Sequence, residues 1–268
     1  MLKDIKQYDT FNREERAICA HLFRLLHHNL DKKEESPLGK FIDILSTKSL
    51  VFTPNKRENP LQNLDYSKNV AIYCEVALIR DYYNICSANE KEEFLDKVIQ
   101  IIDNNQNICT SISELKRKLK NNKLPHPSRI KYNFKDDFKL LPKKEREFYN
   151  TLQGVFNAKP DMAITIDNIL GVGEAKLTEP FDTKQLKLTH CIAQIWSELL
   201  YKNLGFIEQP HYAVFKIGKT NTKRTVIKSD IDWLEVYKIA QETYINKKDR
   251  TLLAIKAGVG LQNLNIKL

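Results

Sequence analysis

Apolar residues recur at helical spacing over residues 11–30, where Ala17, Ile18, Ala20, His21, Leu22, Leu25 and Leu26 make one face and Thr10 or Asn12 is available as a cap. The same period predicts a helix over 90–103, with Phe94, Leu95, Val98, Ile99 and Ile102 on one side. A third runs over 142–156, with Pro142 near its first turn and Phe148, Leu152, Val155 and Phe156 at core spacing. Leu188, Ile192, Ile195, Trp196 and Leu199 mark a helix over 184–203. Trp233, Leu234, Tyr237 and Ile239 mark another that ends near 245 and is capped by Ser229 or Asp230. Residues 70–86 are apolar and aromatic throughout and read as a mostly buried helix. Residues 251–261 read as a short one weakened by Gly258 and Gly260. Strand patterns are fewer. A short one is expected at 49–53, within a loop that holds Pro54 and Pro60. A second is expected at 212–217, followed by a turn at 219–223 and a return strand at 224–228.

The third strand pattern runs from Pro160 to Lys176. Two runs rich in Ile, Val and Ala flank Asp167-Asn168, residues that tolerate the positive φ of a tight hairpin turn. If those two form the loop, Ile166 pairs with Ile169, and counting outward sets Asp161 opposite Glu174. Side chains alternate faces with period two, so Met162, Ile164 and Ile166 share one face. Asp161, Glu174 and Lys176 then gather at one end of the other. Like charges opposed across a ladder destabilise it, so something should compensate. Two carboxylates in that position suit a hard divalent cation such as Mg²⁺, and a nearby ammonium suits the charge of a phosphoryl transition state. An exposed hairpin with its carboxylates salt-bridged by lysines is the alternative.

At these residues the chain resembles the PD-(D/E)XK nuclease superfamily, whose core motif is Pro-Asp, a hairpin and then Asp/Glu-x-Lys. Here the pieces are Pro160-Asp161 and Glu174-Ala175-Lys176. The resemblance implies a metal-dependent nuclease. Asp161 and Glu174 would bind Mg²⁺, with Mn²⁺ able to substitute, the Ala175 carbonyl would add a ligand, and Lys176 would assist the attacking water. It also implies a restriction-endonuclease-like mixed sheet with a crossover helix after the hairpin. A strand is expected between the first core helix and Pro160, yet only 157–159 separate the predicted helix from Pro160. That strand comes from elsewhere in the chain, or the sheet is reduced. Glu145 could add a carboxylate, or could simply complement a helix dipole. Gln185 resembles a helical glutamine that some branches place near the metal, or is an unpaired surface residue. Glu14 and Glu15 raise the extra carboxylate that some members carry on an earlier helix. His190 reads as structural, as do His27 and His28.

Composition agrees with a polyanionic partner. Lys and Arg number 43 against 34 Asp and Glu, a net charge of +9, and phosphate neutralisation supplies most non-specific nucleic-acid affinity. Lys116, Arg117, Lys118 and Lys120 form one basic run, which is a backbone-contacting surface or a solvated linker. Lys216, Lys219, Lys223, Arg224 and Lys228, on the hairpin expected over 212–228, make a second. Cys19, Cys74, Cys86, Cys109 and Cys191 are odd in number, scattered and without a Cys-x-x-Cys pair, as expected of reduced thiols. The first residues lack the apolar core of a signal peptide. The apolar stretch 70–79 carries Glu75 and is too short to cross a bilayer, so a cytoplasmic protein with no membrane partner is expected.

The expected architecture is α/β (α+β), a restriction-endonuclease-like mixed β-sheet core flanked by helices. A mainly helical region over 1–135, a possible nucleic-acid recognition part, would precede a nuclease core over 136–268. The expected function is an endonuclease acting on double-stranded DNA, a stand-alone restriction or phage-defence enzyme that forms a homodimer. A non-catalytic nucleic-acid-binding protein and an RNA-cleaving nuclease are the alternatives.

Overall fold

A computed structural model describes residues 15–54, 59–106, 113, 115, 117, 125–177, 180–218 and 227–262. The protein is mixed α/β, with a five-stranded mixed sheet and helices. Its contacts divide it into two compact units. The first gathers Met1–Val76, Pro160–Leu186 and Pro210–Leu268, and the second Ala77–Lys159 and Lys187–Gln209. Each unit therefore draws on chain from both sides of residue 135. Pairing across the sheet, rather than chain order, decides membership.

The first unit holds the sheet, in the order β1 (Ala71–Cys74), β2 (Met162–Ile166), β3 (Ile169–Ala175), β4 (His211–Gly218) and β5 (Ile231–Asp232). The first three strands are antiparallel neighbours, whereas β4 lies parallel to β3 and β5 parallel to β4. The hairpin has the expected register, Ile166 against Ile169, and Asp167 turns it at a φ of 50°. Every residue of β2 is buried, as in a strand with both faces covered; the polar one, Thr165, donates its hydroxyl to the Asn69 carbonyl at 2.7 Å.

One face carries Ile72, Met162, Ile164, Ile169, Phe215 and Ile217. It packs in a single core with α1 (Glu15–Leu26), α2 (Pro37–Ser46), α8 (Trp233–Thr243) and α9 (Arg250–Gln262). In α1, Ile18, Cys19, Leu22, Leu25 and Leu26 are the buried residues, while Ala20 faces out. Thr10 and Asn12, the expected caps, lie outside the described residues.

Three expectations change, and a fourth falls mostly outside the described residues. Residues 70–86 are not one helix: β1 ends at Cys74, Glu75 takes a φ of 51°, and α3 (Leu78–Ile85) follows. The tyrosine and β-branched isoleucine of the first part suit a pleated strand, and β2 offers the partner. The strand expected at 49–53 reduces to one bridge, Thr53 with Tyr212, since Pro54 has no N–H with which to extend a ladder. On the side of β4 away from β3 the described partner is the parallel β5, and 224–226 of the expected return strand lie outside the described residues. Finally, α8 is capped by Asp232. Its carboxylate accepts the Leu234 N–H at 2.8 Å, while Glu235 accepts the Asp232 N–H at 2.8 Å to complete a capping box.

In the second unit α4 (Ala88–Gln106) packs on α6 (Lys143–Asn157) through the buried stripes that the sequence marks, Phe94 to Ile102 and Phe148 to Phe156. Here His126 bridges two segments. Its Nδ1 accepts the Ser128 N–H at 3.2 Å and its Nε2 donates to Asn84 Oδ1 at 2.9 Å. Its ring meets Tyr83 and Phe156 edge-on. Burial, then the positive charges of Arg129, Lys91 and Arg80, hold its pKa below the usual 6.5. The unfolded chain therefore binds a proton that the folded one refuses. Stability is expected to fall as pH drops below about 6.5 and to level off below the folded pKa. Urea unfolding between about pH 7.5 and 5.5 should show a slope that flattens in His126→Gln; an unchanged slope in the variant would assign it to other groups.

No described helix is long and apolar enough to cross a membrane.

Candidate functional site

The hairpin carries both motif pieces to one end of the sheet. Met162 with Gly173 is the last ladder pair there, so Asp161 and Glu174 are the next neighbours beyond it. Asp161 stands one residue outside β2, and its Oδ2 accepts the backbone N–H of Ala175 at 2.8 Å. The aspartate is fastened to the middle residue of Glu174-Ala175-Lys176. Glu174 lies on the face opposite the core, with Ala163, Thr165, Val172 and Val214, and is only 4% exposed. Its Oε2 accepts Gln185 Nε2 at 2.6 Å, from the first turn of α7 (Thr183–Leu199). Gln185 is thus a partner of the candidate site rather than an unpaired surface residue.

Lys176 is pinned through its backbone. Its N–H donates to the Ile217 carbonyl at 2.8 Å, and its own carbonyl accepts Trp233 Nε1 at 3.0 Å. Trp233 is fully buried and is the first residue of α8. The capping box that starts that helix therefore also fixes where Lys176 leaves the sheet.

The register carries the row on to β4, where Glu174 pairs with Lys216. On the other side Glu75 follows Cys74, the partner of Met162, close enough that its charge and that of Asp161 both act on the Cys74 thiol. Glu75 Oε1 meets Arg16 Nε of α1 at 3.1 Å, a counter-charge for a carboxylate beside another acid. Burial, with the charges of Glu75 and Asp161, pushes the Cys74 thiol up, so it stays protonated near neutral pH. At the far side Lys216 Nζ meets Asp230 Oδ2 at 2.7 Å.

Sequence reading did not place Glu75, Lys216 or Asp230 at this end. A signal existed for two of them: Lys216 is the lone charge in Tyr212-Ala213-Val214-Phe215-Lys216-Ile217, and Glu75 is the one acid in residues 70–79.

Glu145 occupies the first turn of α6 in the second unit, where an acid complements the helix dipole. His190 is exposed and belongs to the second unit. His27 Nδ1 donates to the Phe23 carbonyl at 3.0 Å, and the His28 ring packs on Tyr244. Arg117 is exposed, whereas Lys116, Lys118, Lys120, Lys219, Lys223, Arg224 and Glu14 lie outside the described residues.

Among the described residues no three His, Cys, Asp or Glu side chains form a group that could hold a metal ion. The donors at the sheet end are two carboxylates, Asp161 and Glu174, with the Ala175 carbonyl next to them in the chain. All are hard oxygen donors, and a set of one or two carboxylates fits Mg²⁺, which completes its shell with water and substrate phosphate.

Comparison of the chain with protein-family models, with curated proteins and with solved structures finds no match.

Proposed function

We propose that the chain is a metal-dependent nuclease of the PD-(D/E)XK type that hydrolyses DNA phosphodiester bonds at Asp161, Glu174 and Lys176. The observation that carries this reading is the 2.8 Å bond from the Ala175 N–H to Asp161 Oδ2, which joins Pro-Asp to Glu-x-Lys at one sheet end. The order of elements supports it. With further helices inserted before β1 and between β1 and β2, helix α1, antiparallel β1, β2 and β3, helix α7 and β4 parallel to β3 are compatible with the order that the resemblance implies, Ala71–Cys74 serving as the strand expected before Pro160.

Asp161 and Glu174 would hold Mg²⁺, and the bound cation supplies Lewis acidity and a water of lowered pKa. Gln185 holds one oxygen of Glu174, so the carboxylate keeps its orientation before substrate arrives. Lys176, with its backbone fixed at both N–H and carbonyl, orients the attacking water and offsets charge that grows on the phosphate oxygens. The excess of basic residues favours a polyanion. By analogy with the family, the reading extends to a restriction or phage-defence nuclease. Cutting both strands with one site per chain favours a symmetric homodimer.

The test is cleavage of plasmid DNA, with single-stranded DNA and RNA in parallel, in Mg²⁺, Mn²⁺ or EDTA. Plasmid should be cut with either cation and left intact in EDTA. It should also survive Asp161→Ala and Lys176→Ala, both folded by circular dichroism. Cutting of RNA alone would reassign the substrate. No cutting of any substrate by folded protein would leave a nucleic-acid-binding protein without catalysis.

A further inference from the structure

We infer that Lys216, held by Asp230 in the absence of substrate, is a second contact for the substrate phosphodiester beside Lys176, an assignment that rests on the nuclease reading of this sheet end. Lys216 is the register partner of Glu174 on the neighbouring parallel strand. Strands so paired lie about 4.8 Å apart, and the two side chains leave the same face. The ammonium is therefore within one side chain's reach of the carboxylate proposed to hold the metal, and of any phosphate drawn to it.

The bonds around Lys216 separate what the fold needs from what the charge adds. Asp230 Oδ2 accepts the Lys216 backbone N–H at 2.8 Å, and the Asp230 N–H donates to the Lys216 carbonyl at 2.8 Å. These two bonds tie the segment before β5 to β4, and neither requires an ammonium. A methionine at 216 would keep both. The lysine adds an ion pair, Nζ to the same Oδ2 at 2.7 Å, between side chains that are 19% and 17% exposed. Pairs so far removed from water seldom stabilise a fold more than apolar residues of similar size would. A charge in this otherwise apolar strand is better explained by what it meets on the sheet face.

An ammonium carries three N–H donors. A lysine held by one carboxylate oxygen can still donate to a phosphate oxygen. Asp230 Oδ2, which takes both the backbone N–H and Nζ of Lys216, holds the side chain folded back over its own strand on the side away from β3 until substrate draws it across. Next to Lys176, it would make the site doubly cationic on the side where the backbone of the nucleic acid enters. The carboxylates on either side of β4, Glu174 on β3 and Asp230 just before β5, would otherwise repel that backbone.

The test uses the full chain and a labelled DNA duplex. Binding is read by fluorescence anisotropy in EDTA, so that nothing turns over, across a series of salt concentrations. Loss of one phosphate contact on B-DNA makes the slope of log affinity against log salt shallower by about 0.9. That change is expected in Lys216→Met and Lys216→Gln, with affinity about tenfold lower at 0.1 M salt. Lys216→Arg should restore the slope. In Mg²⁺ the neutral variants should raise KM more than they lower kcat. Lys216→Gln reads the same contact if the methionine variant fails to fold. A wild-type slope in the neutral variants of a chain that binds and cuts DNA would overturn the assignment and leave the nuclease reading intact. A wild-type chain that neither binds nor cuts nucleic acid would overturn the nuclease reading itself, and this contact with it.

Discussion

Glu174→Gln is expected to reduce metal-dependent cleavage by about a thousandfold, the upper end of what removing one electrostatic partner of a transition state costs. In the metal-free protein the same change is expected to raise the melting temperature. The two effects share a cause. Glu174 is 4% exposed, and removing a carboxylate from water is costly even when its oxygens are hydrogen-bonded. Glutamine keeps the shape, and its amide oxygen can still accept the Gln185 Nε2 that now donates to Glu174 at 2.6 Å. It removes the charge that makes burial expensive and metal binding favourable. A carboxylate kept only to hold α7 to the sheet would behave in the opposite way, because its replacement would weaken a charge-assisted bond and lower stability. Thermal denaturation with and without Mg²⁺ separates the cases. A cation that binds only the folded chain adds about 2.7 kcal/mol at a hundred times its Kd. Wild type should therefore melt higher in Mg²⁺, while Glu174→Gln should not respond. A variant that melts below wild type and still cuts DNA would show that the buried charge serves the fold alone.

The hairpin was legible because its signals are local. Asp167-Asn168 stand between two apolar runs, and once the turn is set, period-two alternation leaves one register, which carries Asp161 to the side of Glu174. The partner strand was not legible, because Ala71-Ile72-Tyr73-Cys74 is as apolar as a buried helix and its pairing with β2 is not local: Ala71 meets Thr165. The same distance hides the grouping of the units. What lies next to what is decided by a contact between residues far apart in the chain, which no window of sequence contains. Gln185 could be read either way, as a partner of the metal site or as a surface residue, for another reason. Whether a first-turn side chain faces solvent or Glu174 depends on the angle at which α7 leaves the sheet, a property of packing and not of helical period. Lys216 was legible only as one of several basic residues over 212–228, and Asp230 only as a candidate cap; register made the lysine informative by setting it beside Glu174.

Phe215→Ala is expected to destabilise the first unit by about 3–5 kcal/mol, the usual cost of emptying a buried phenylalanine site. The more telling change is at the glycine beneath it. Gly171 and Gly173 occupy alternate positions of β3 on the core face, where strand glycines read as weak points. The Phe215 ring from β4 lies across both. A Cβ at Gly173 would stand 2.5 Å from Phe215 Cε2 and Cζ, whereas one at Gly171 would stand 3.2 Å from Cε1. The ring is 1% exposed and meets Phe41 edge-on at 5.9 Å, so it has little room to retreat. Alanine in a strand saves about 0.5–1 kcal/mol of chain entropy over glycine, but overpacking a core costs about 1–3 kcal/mol. At Gly173 the clash should win; at Gly171, where the contact is tight rather than forbidden, the two terms should nearly cancel. If the ring is the cause, Gly173→Ala should cost less in a Phe215→Leu background, with a coupling of about 1–2 kcal/mol between the sites. Strictly additive losses in urea unfolding would place the strain in the backbone instead. Gly173 immediately precedes Glu174, so relief of the clash by shifting β3 would also move the buried carboxylate. Gly173→Ala should then lose cleavage at temperatures where it remains folded, and Phe215→Leu should restore part of it.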